Sequence, residues 1–228
     1  MHRQTLIFDA DDTLWENNRL FERVIDDFIT WIEHPTLDRA EIRRIMNDVE
    51  AANVVAHGYG TEVFLRSLAD CFERLRERPA GPGERQAIDE LARALVHHEV
   101  ELMPGVTDTL ADLGRRHELL LLTKGTLDEQ QRKIDASGLA GHFRSIHIVP
   151  EKDVRQYRLL AERERLTVDD TWMIGNSPKS DILPAREAGM GAVFIPSEHT
   201  WALEEAVLDP DDGRTIRLKR FTELRDLF

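Results

Sequence analysis

The sequence predicts an α/β fold: a doubly wound parallel sheet of Rossmann-like type with an inserted helical domain. Three observations predict it. Beyond Pro104, short apolar runs alternate strictly with helical patterns, which makes βαβ units and a parallel sheet covered on both faces. From Trp15 to about Met103 the periodicity is helical throughout, with no convincing strand. The first apolar run, Leu6-Ile7-Phe8, stops abruptly at Asp9-Ala10-Asp11-Asp12-Thr13. That places an acidic turn at the carboxyl end of a strand, where open α/β sheets bind ligands.

Taken in order, Leu6, Ile7 and Phe8 have the length and unbroken apolarity of a buried strand. Helical spacing then links Phe21, Val24, Ile25, Phe28 and Ile32, and next Ile42, Ile45, Met46 and Val49. Val63, Phe64, Ser67, Leu68 and Cys71 continue the texture. A loop rich in Pro and Gly, 78–83, separates them from a fourth helix through Ile88, Leu91, Leu95 and Val96. Met103-Pro104-Gly105 punctuates the return. Helices over 105–116, 127–137, 153–166 and 179–188 then alternate with strands over 118–123, 145–149, 171–174 and 191–195. The expected domains are therefore a catalytic core, 1–14 with 104–228, and a helical insert, 15–103. The stretch from His199 to Phe228 reads as edge structure or a flap.

Composition narrows the function. A chain of 228 residues with 41% hydrophobic content can bury a sizeable core plus a small accessory domain. Its one cysteine, Cys71, rules out a disulfide framework and, in a stripe with Phe64, Leu68 and Leu75, belongs to a core. A formal net charge of −13 opposes nucleic acid as a binding platform and opposes anionic membranes. No apolar run is long enough to span a bilayer. A cytoplasmic protein, monomer or homodimer, is expected. A small phosphorylated metabolite stays possible as partner, because lysines and helix N-termini can supply a local positive field.

Asp9 and Asp11 carry the chemistry. Residues i and i+2 of an extended chain point the same way, so the two carboxylates can address one point. Their repulsion calls for a cation, which suggests a Mg2+ site with one carboxylate free to act as a nucleophile. The plainer alternative is an acidic turn that caps the next helix.

Phe8-Asp9-Ala10-Asp11-Asp12-Thr13-Leu14 resembles the first motif of the haloacid-dehalogenase-like (HAD) superfamily, hydrophobic-Asp-x-Asp-x-Thr. Leu119 to Thr123 is similar to its second motif. Lys152, after the apolar stretch Ile146 to Val149, matches the third. Trp172 to Asp181 is similar to the fourth, Gly-Asp-x-x-x-x-Asp, with Asn176 in place of the first aspartate. The resemblance implies a hydrolase, a magnesium-dependent phosphatase acting through an aspartyl phosphate, whose helical insert is a C1 cap. Asp9 would be the nucleophile and Asp11 the general acid and base, its backbone carbonyl or that of Ala10 reaching the metal. Thr123 would bind the phosphoryl group and Lys152 would neutralise it. Asn176 and Asp181 would complete the metal site, with affinity in question because an amide brings no charge. Asp12 is expected to cap the turn and Thr13 to bond its backbone. Lys124 is open between substrate contact and a solvated loop lysine.

Within the insert, Ala56-His57-Gly58-Tyr59-Gly60-Thr61 is either a turn between helices or a loop bringing His57 and Tyr59 to substrate. The haloacid dehalogenases of the superfamily lack an acid at the place of Asp11, which favours phosphoryl transfer over C–halogen hydrolysis. A catalytically weak binding or regulatory protein is the other alternative, kept open by Asn176.

Overall fold

The computed structural model describes residues 3–96 and 99–228; the side chain of Val96, one position of the predicted fourth stripe, lies outside the described set. Two compact units form. One combines the chain up to Glu16 with everything from Val100 onward, and the other is Asn17–Glu99.

The first unit begins with β1 (Thr5–Phe8), and the second contributes α1 (Asn18–Ile32), α2 (Arg39–His57), α3 (Thr61–Arg76) and α4 (Pro82–Val96). The chain then continues in the first unit through α5 (Val106–Leu113), β2 (Glu118–Lys124), α6 (Leu127–Ser137), β3 (Ser145–Val149), α7 (Val154–Glu164) and β4 (Thr171–Gly175). It ends with α8 (Leu183–Glu187), β5 (Gly191–Phe194), β6 (Thr215–Arg217) and α9 (Leu224–Leu227).

All six strands are parallel, in the order β3-β2-β1-β4-β5-β6. The sheet grows outward from β1 to β3 and then restarts on the other side of β1 with β4. That reversal opens the ligand crevice beyond the carboxyl ends of β1 and β4. Alternation along the strands sorts the core. Leu6 and Phe8 join Leu119, Leu121, Ile174 and Val193 beneath α5 and α6, whereas Ile7 joins Leu120, Leu122 and Met173 beneath α7 and α8. Burial on both faces is why each strand reads as an unbroken apolar run.

Two features depart from the sequence expectation. β6 is a three-residue edge strand, partly exposed, too short to print a period. The expected helix over 179–188 is instead a wide π turn, Pro178–Ile182, running into the short α8. Pro178 has no N–H to give, and both Asp181 and Ile182 donate back to Ser177 O, at 3.0 and 3.2 Å. Leu14 to Glu16 also runs beside 101–103, through Met103 N to Leu14 O and Glu16 N to Glu101 O, each 2.9 Å. This ladder puts Trp15 and Leu102 with the sheet unit.

The helical unit holds its own core. Val24, Phe28, Ile42, Met46, Phe64, Leu68, Ile88 and Leu95 interlock, as their spacing predicts. Asp38 and Glu41 form a reciprocal capping box at the start of α2. Cys71 is fully buried here, and burial pushes its thiol up to about 12, so it is a packing residue.

Candidate active site

Asp9 is the first residue past β1, and its N–H donates to Ile174 O of β4 at 2.9 Å, which fixes it over the crevice. Lys152, just before α7, reaches across with a side chain only 1% exposed. Its ammonium donates to Asp9 Oδ1 at 2.5 Å and to Asp181 Oδ1 at 2.8 Å. Two buried carboxylates thus share one ammonium. Burial and the repulsion of Asp181 push Asp9 up to about 7, which Lys152 only partly offsets. For Lys152 itself burial opposes the charge, but Asp181 and Asp9 outweigh it and its pKa rises.

Asp181 arrives through a close approach of backbone. A Cβ on Gly175 would fall 2.2 Å from Asp181 Oδ2, so the last residue of β4 has to be glycine. Asp181 Oδ2 then accepts from Ser177 N at 2.9 Å. Asn176 lies between. Its amide terminus sits 3.2 Å from Asp11 O, 3.2 Å from Thr13 Oγ1 and 3.3 Å from Asp9 Oδ2. With oxygen turned there, the amide meets oxygens only; with Nδ2 turned there, it donates to them. Thr13 uses its hydroxyl on Asp9 Oδ2, 2.8 Å away, rather than on the backbone of its own turn. Asp12 makes that turn in the left-handed region, at φ 62.

With its oxygen turned there, Asn176 would join the Asp9 carboxylate and the Asp11 main-chain carbonyl as a set of oxygens suited to a hard cation. Octahedral magnesium with bonds of 2.0–2.1 Å places neighbouring ligand atoms about 2.9 Å apart. Among the described residues no three His, Cys, Asp or Glu side chains converge as a cage.

Asp11 faces a different setting. Its Oδ1 accepts from Trp15 Nε1 at 2.7 Å and its Oδ2 from Gln130 Nε2 at 2.9 Å, while Lys133 Nζ bridges both at 3.0 Å. Burial alone would raise this carboxylate, but Lys133, Gln130 and Trp15 together hold it below the usual range.

Residues 4–189 match the model of the haloacid dehalogenase-like hydrolases. The chain belongs to that family. It is 28% identical to a haloacid dehalogenase-like family hydrolase from Xanthomonas campestris, with a TM-score of 0.85, 99% of this chain covered and 94% of that one. A phosphoserine phosphatase of Thermus thermophilus is 26% identical, covering 98% of this chain and 97% of its own. The Escherichia coli 5-amino-6-(5-phospho-D-ribitylamino)uracil phosphatase YigB is 23% identical, over 85% of this chain and 84% of its own.

Within this HAD-like site, Lys152 joins Asp9 and Asp181 with Asn176 beside them, whereas the Asp11 side chain is held apart by Trp15, Gln130 and Lys133. Thr123 is buried at the end of β2, pairing in register with Ile148. Lys124 is neither solvated nor alone: its ammonium is paired with Glu204 and donates to Ser180 Oγ at 2.8 Å. His57, exposed at the end of α2, and Tyr59, between two glycines of positive φ, belong to the helical unit.

Sequence reading missed Trp15, Gln130, Lys133 and Glu204. Gln130 and Lys133 carried a usable signal: they are one turn apart on α6, beside the buried Ile134. Glu204 carried none, since it enters from a single 3₁₀ turn in a stretch without period.

Proposed function

We propose that this HAD-like hydrolase is a magnesium-dependent phosphatase that cleaves a small phosphate monoester through an aspartyl phosphate on Asp9. The observation that carries the reading is the contrast across β1: a carboxylate held by Lys152 beside oxygens suited to a cation, and two residues on a second carboxylate held separately. Two curated relatives that are phosphatases by name support it.

Asp9, Asn176 and the main-chain oxygen of Asp11 would hold Mg2+, with Asp181 acting on it from behind Lys152 and Ser177. When bound, magnesium offsets phosphoryl charge and polarises the P–O bonds. Asp9 attacks phosphorus as the ester oxygen departs, and Lys152 neutralises the phosphoryl oxygens. Thr123 contributes a hydroxyl to the same group. Asp11 protonates the leaving oxygen and later takes a proton from the water that cleaves the aspartyl phosphate. The resting site suits the second task directly. The first requires that a donor now on Asp11 give way to a proton. The helical unit serves as a C1 cap, with His57 and Tyr59 its candidate substrate contacts.

Purified protein assayed on p-nitrophenyl phosphate tests this. Phosphate release should need Mg2+ and should fall on the order of 10⁴-fold or more in Asp9→Asn. Release that survives chelation, or survives that substitution, would sink the reading.

A further inference from the structure

We infer that Lys133, with Gln130, is a positioning residue that fixes the Asp11 carboxylate for proton transfer, an inference that rests on the phosphatase reading. Four hydrogen bonds from three residues of the sheet unit converge on that one side chain. Lys133 Nζ is 3.0 Å from both Asp11 oxygens, so it straddles the carboxylate instead of pairing with one end. Trp15 and Gln130 each take one oxygen. A carboxylate turns easily about its last bond; donors on both oxygens and a cation between them leave it one plane.

The Gln130 amide shows what its placement costs. Both its hydrogens are used, on Asp11 Oδ2 at 2.9 Å and Lys124 O at 3.0 Å, while its Oε1 is buried with no hydrogen-bond partner among the described residues. Buried acceptors are normally satisfied, so this side chain is oriented for its donors. Room for it comes from Gly125, at φ +140, where a Cβ would lie 2.9 Å from Gln130 Nε2. Lys133 sits one turn further along the same face of α6, only 3.8 Å from Glu129. A lysine serving only to stabilise α6 could pair with Glu129 of the same helix and leave Asp11 alone. This one bridges Asp11.

The test compares wild type with Lys133→Met and Lys133→Arg on a series of phenyl phosphates, from p-nitrophenyl to p-methoxyphenyl. Esters of the more acidic phenols leave with little help from an acid, and the others need a well-placed one. In Lys133→Met, kcat/KM should fall about tenfold on the p-methoxyphenyl ester and under about threefold on the p-nitrophenyl ester. KM should hold within about twofold, and Lys133→Arg should recover most of the loss. An equal fall across the series, or a rise in KM alone, would overturn the inference in favour of a scaffold or a substrate contact.

The second arm needs no turnover. The Trp15 indole N–H resonance, assigned with Trp15→Phe, should move or broaden in Lys133→Met and return in Lys133→Arg. If it is unmoved in Lys133→Met, Lys133 does not position Asp11, whatever the assay shows. If wild type hydrolyses none of these esters, the phosphatase reading fails, and the resonance still decides the placement of Asp11.

Discussion

The two carboxylates of the β1 loop stand two residues apart and live in opposite electrostatic conditions. Asp9 is under-neutralised: it shares one ammonium with Asp181, while its other oxygen accepts from the neutral Thr13 hydroxyl at 2.8 Å and lies 3.3 Å from the uncharged Asn176 amide. Asp11 is over-provided, with an ammonium, an amide and an indole all donating to it. Environments that drive two acids apart are how one site assigns them different tasks. A buried, poorly neutralised carboxylate beside oxygens suited to a cation suits attack on phosphorus. A tightly held one suits proton transfer along a fixed direction.

The sharpest way to break this comparison is to remove each charge in turn and measure stability without metal. Asp9→Asn should stabilise the chelated protein by about 1–2 kcal/mol, because Lys152 and Asp181 then form a balanced pair. The sign with pH follows from the raised pKa of Asp9. Its ordinary value is 3.8 and it is pushed up to about 7, so the fold favours its protonated form. That contribution is complete below about pH 4 and is lost as pH rises through 7. The gain in Asp9→Asn should therefore be largest at pH 8 and vanish near pH 4. Asp11→Asn should act oppositely and cost about 1–2 kcal/mol, since Lys133 would lose the charge it straddles; both side chains are partly exposed, which limits the loss. Thermal melts in chelator check both. Shifts of the same sign in the two variants would refute the contrast.

Asn176 offers the next test. The amide leaves the Asp9 side with no added negative charge, so Asn176→Asp places a further carboxylate where oxygens already crowd. Mg2+ should bind about tenfold tighter, while the metal-free protein melts lower. A calorimetric titration reads the first and a melt in chelator the second. Unchanged magnesium affinity would mean that the Asn176 amide oxygen faces elsewhere.

The legible and illegible parts of this site divide along the same line. Asp9, Lys152, Asn176 and Asp181 could be read because each ends or follows an apolar strand, so topology alone brings them to one crevice. The alternation of strands and helices was legible for the same reason: both faces of the sheet are buried, and burial prints itself as unbroken apolar runs. The residues around Asp11 could not be read this way. Gln130 and Lys133 sit on a polar helix whose buried residues are Gln130 and Ile134, and a polar side chain pointing inward leaves no mark on hydropathy. Trp15 looked like the start of the helical insert, yet its pairing with Leu102 makes it part of the sheet unit. The π turn at Pro178 was read as helix because periodicity over five residues cannot separate the two.

Lys124 and Glu204 supply the smallest effect, and they extend the contrast to the end of β2. Glu204 is buried and holds Lys124 with one oxygen and Ser177 Oγ with the other, at 2.5 Å for the latter. Burial would raise its pKa, but Lys124, Ser177 and Ser180 together keep it low, so it is an anion that stabilises both the lysine and the turn carrying Asn176. Glu204→Gln keeps the shape and removes the charge. Stability should fall by about 1 kcal/mol, because Lys124 retains Ser180 and a longer contact to Glu151 at 3.8 Å. Inorganic phosphate should then inhibit more strongly, by about two- to threefold, as one negative charge leaves the vicinity of the phosphoryl site. Weaker inhibition would show that Glu204 matters by shaping the Ser177 turn, and that its charge does not reach the anion. The two outcomes separate a carboxylate that moderates phosphate affinity from one that only braces the loop.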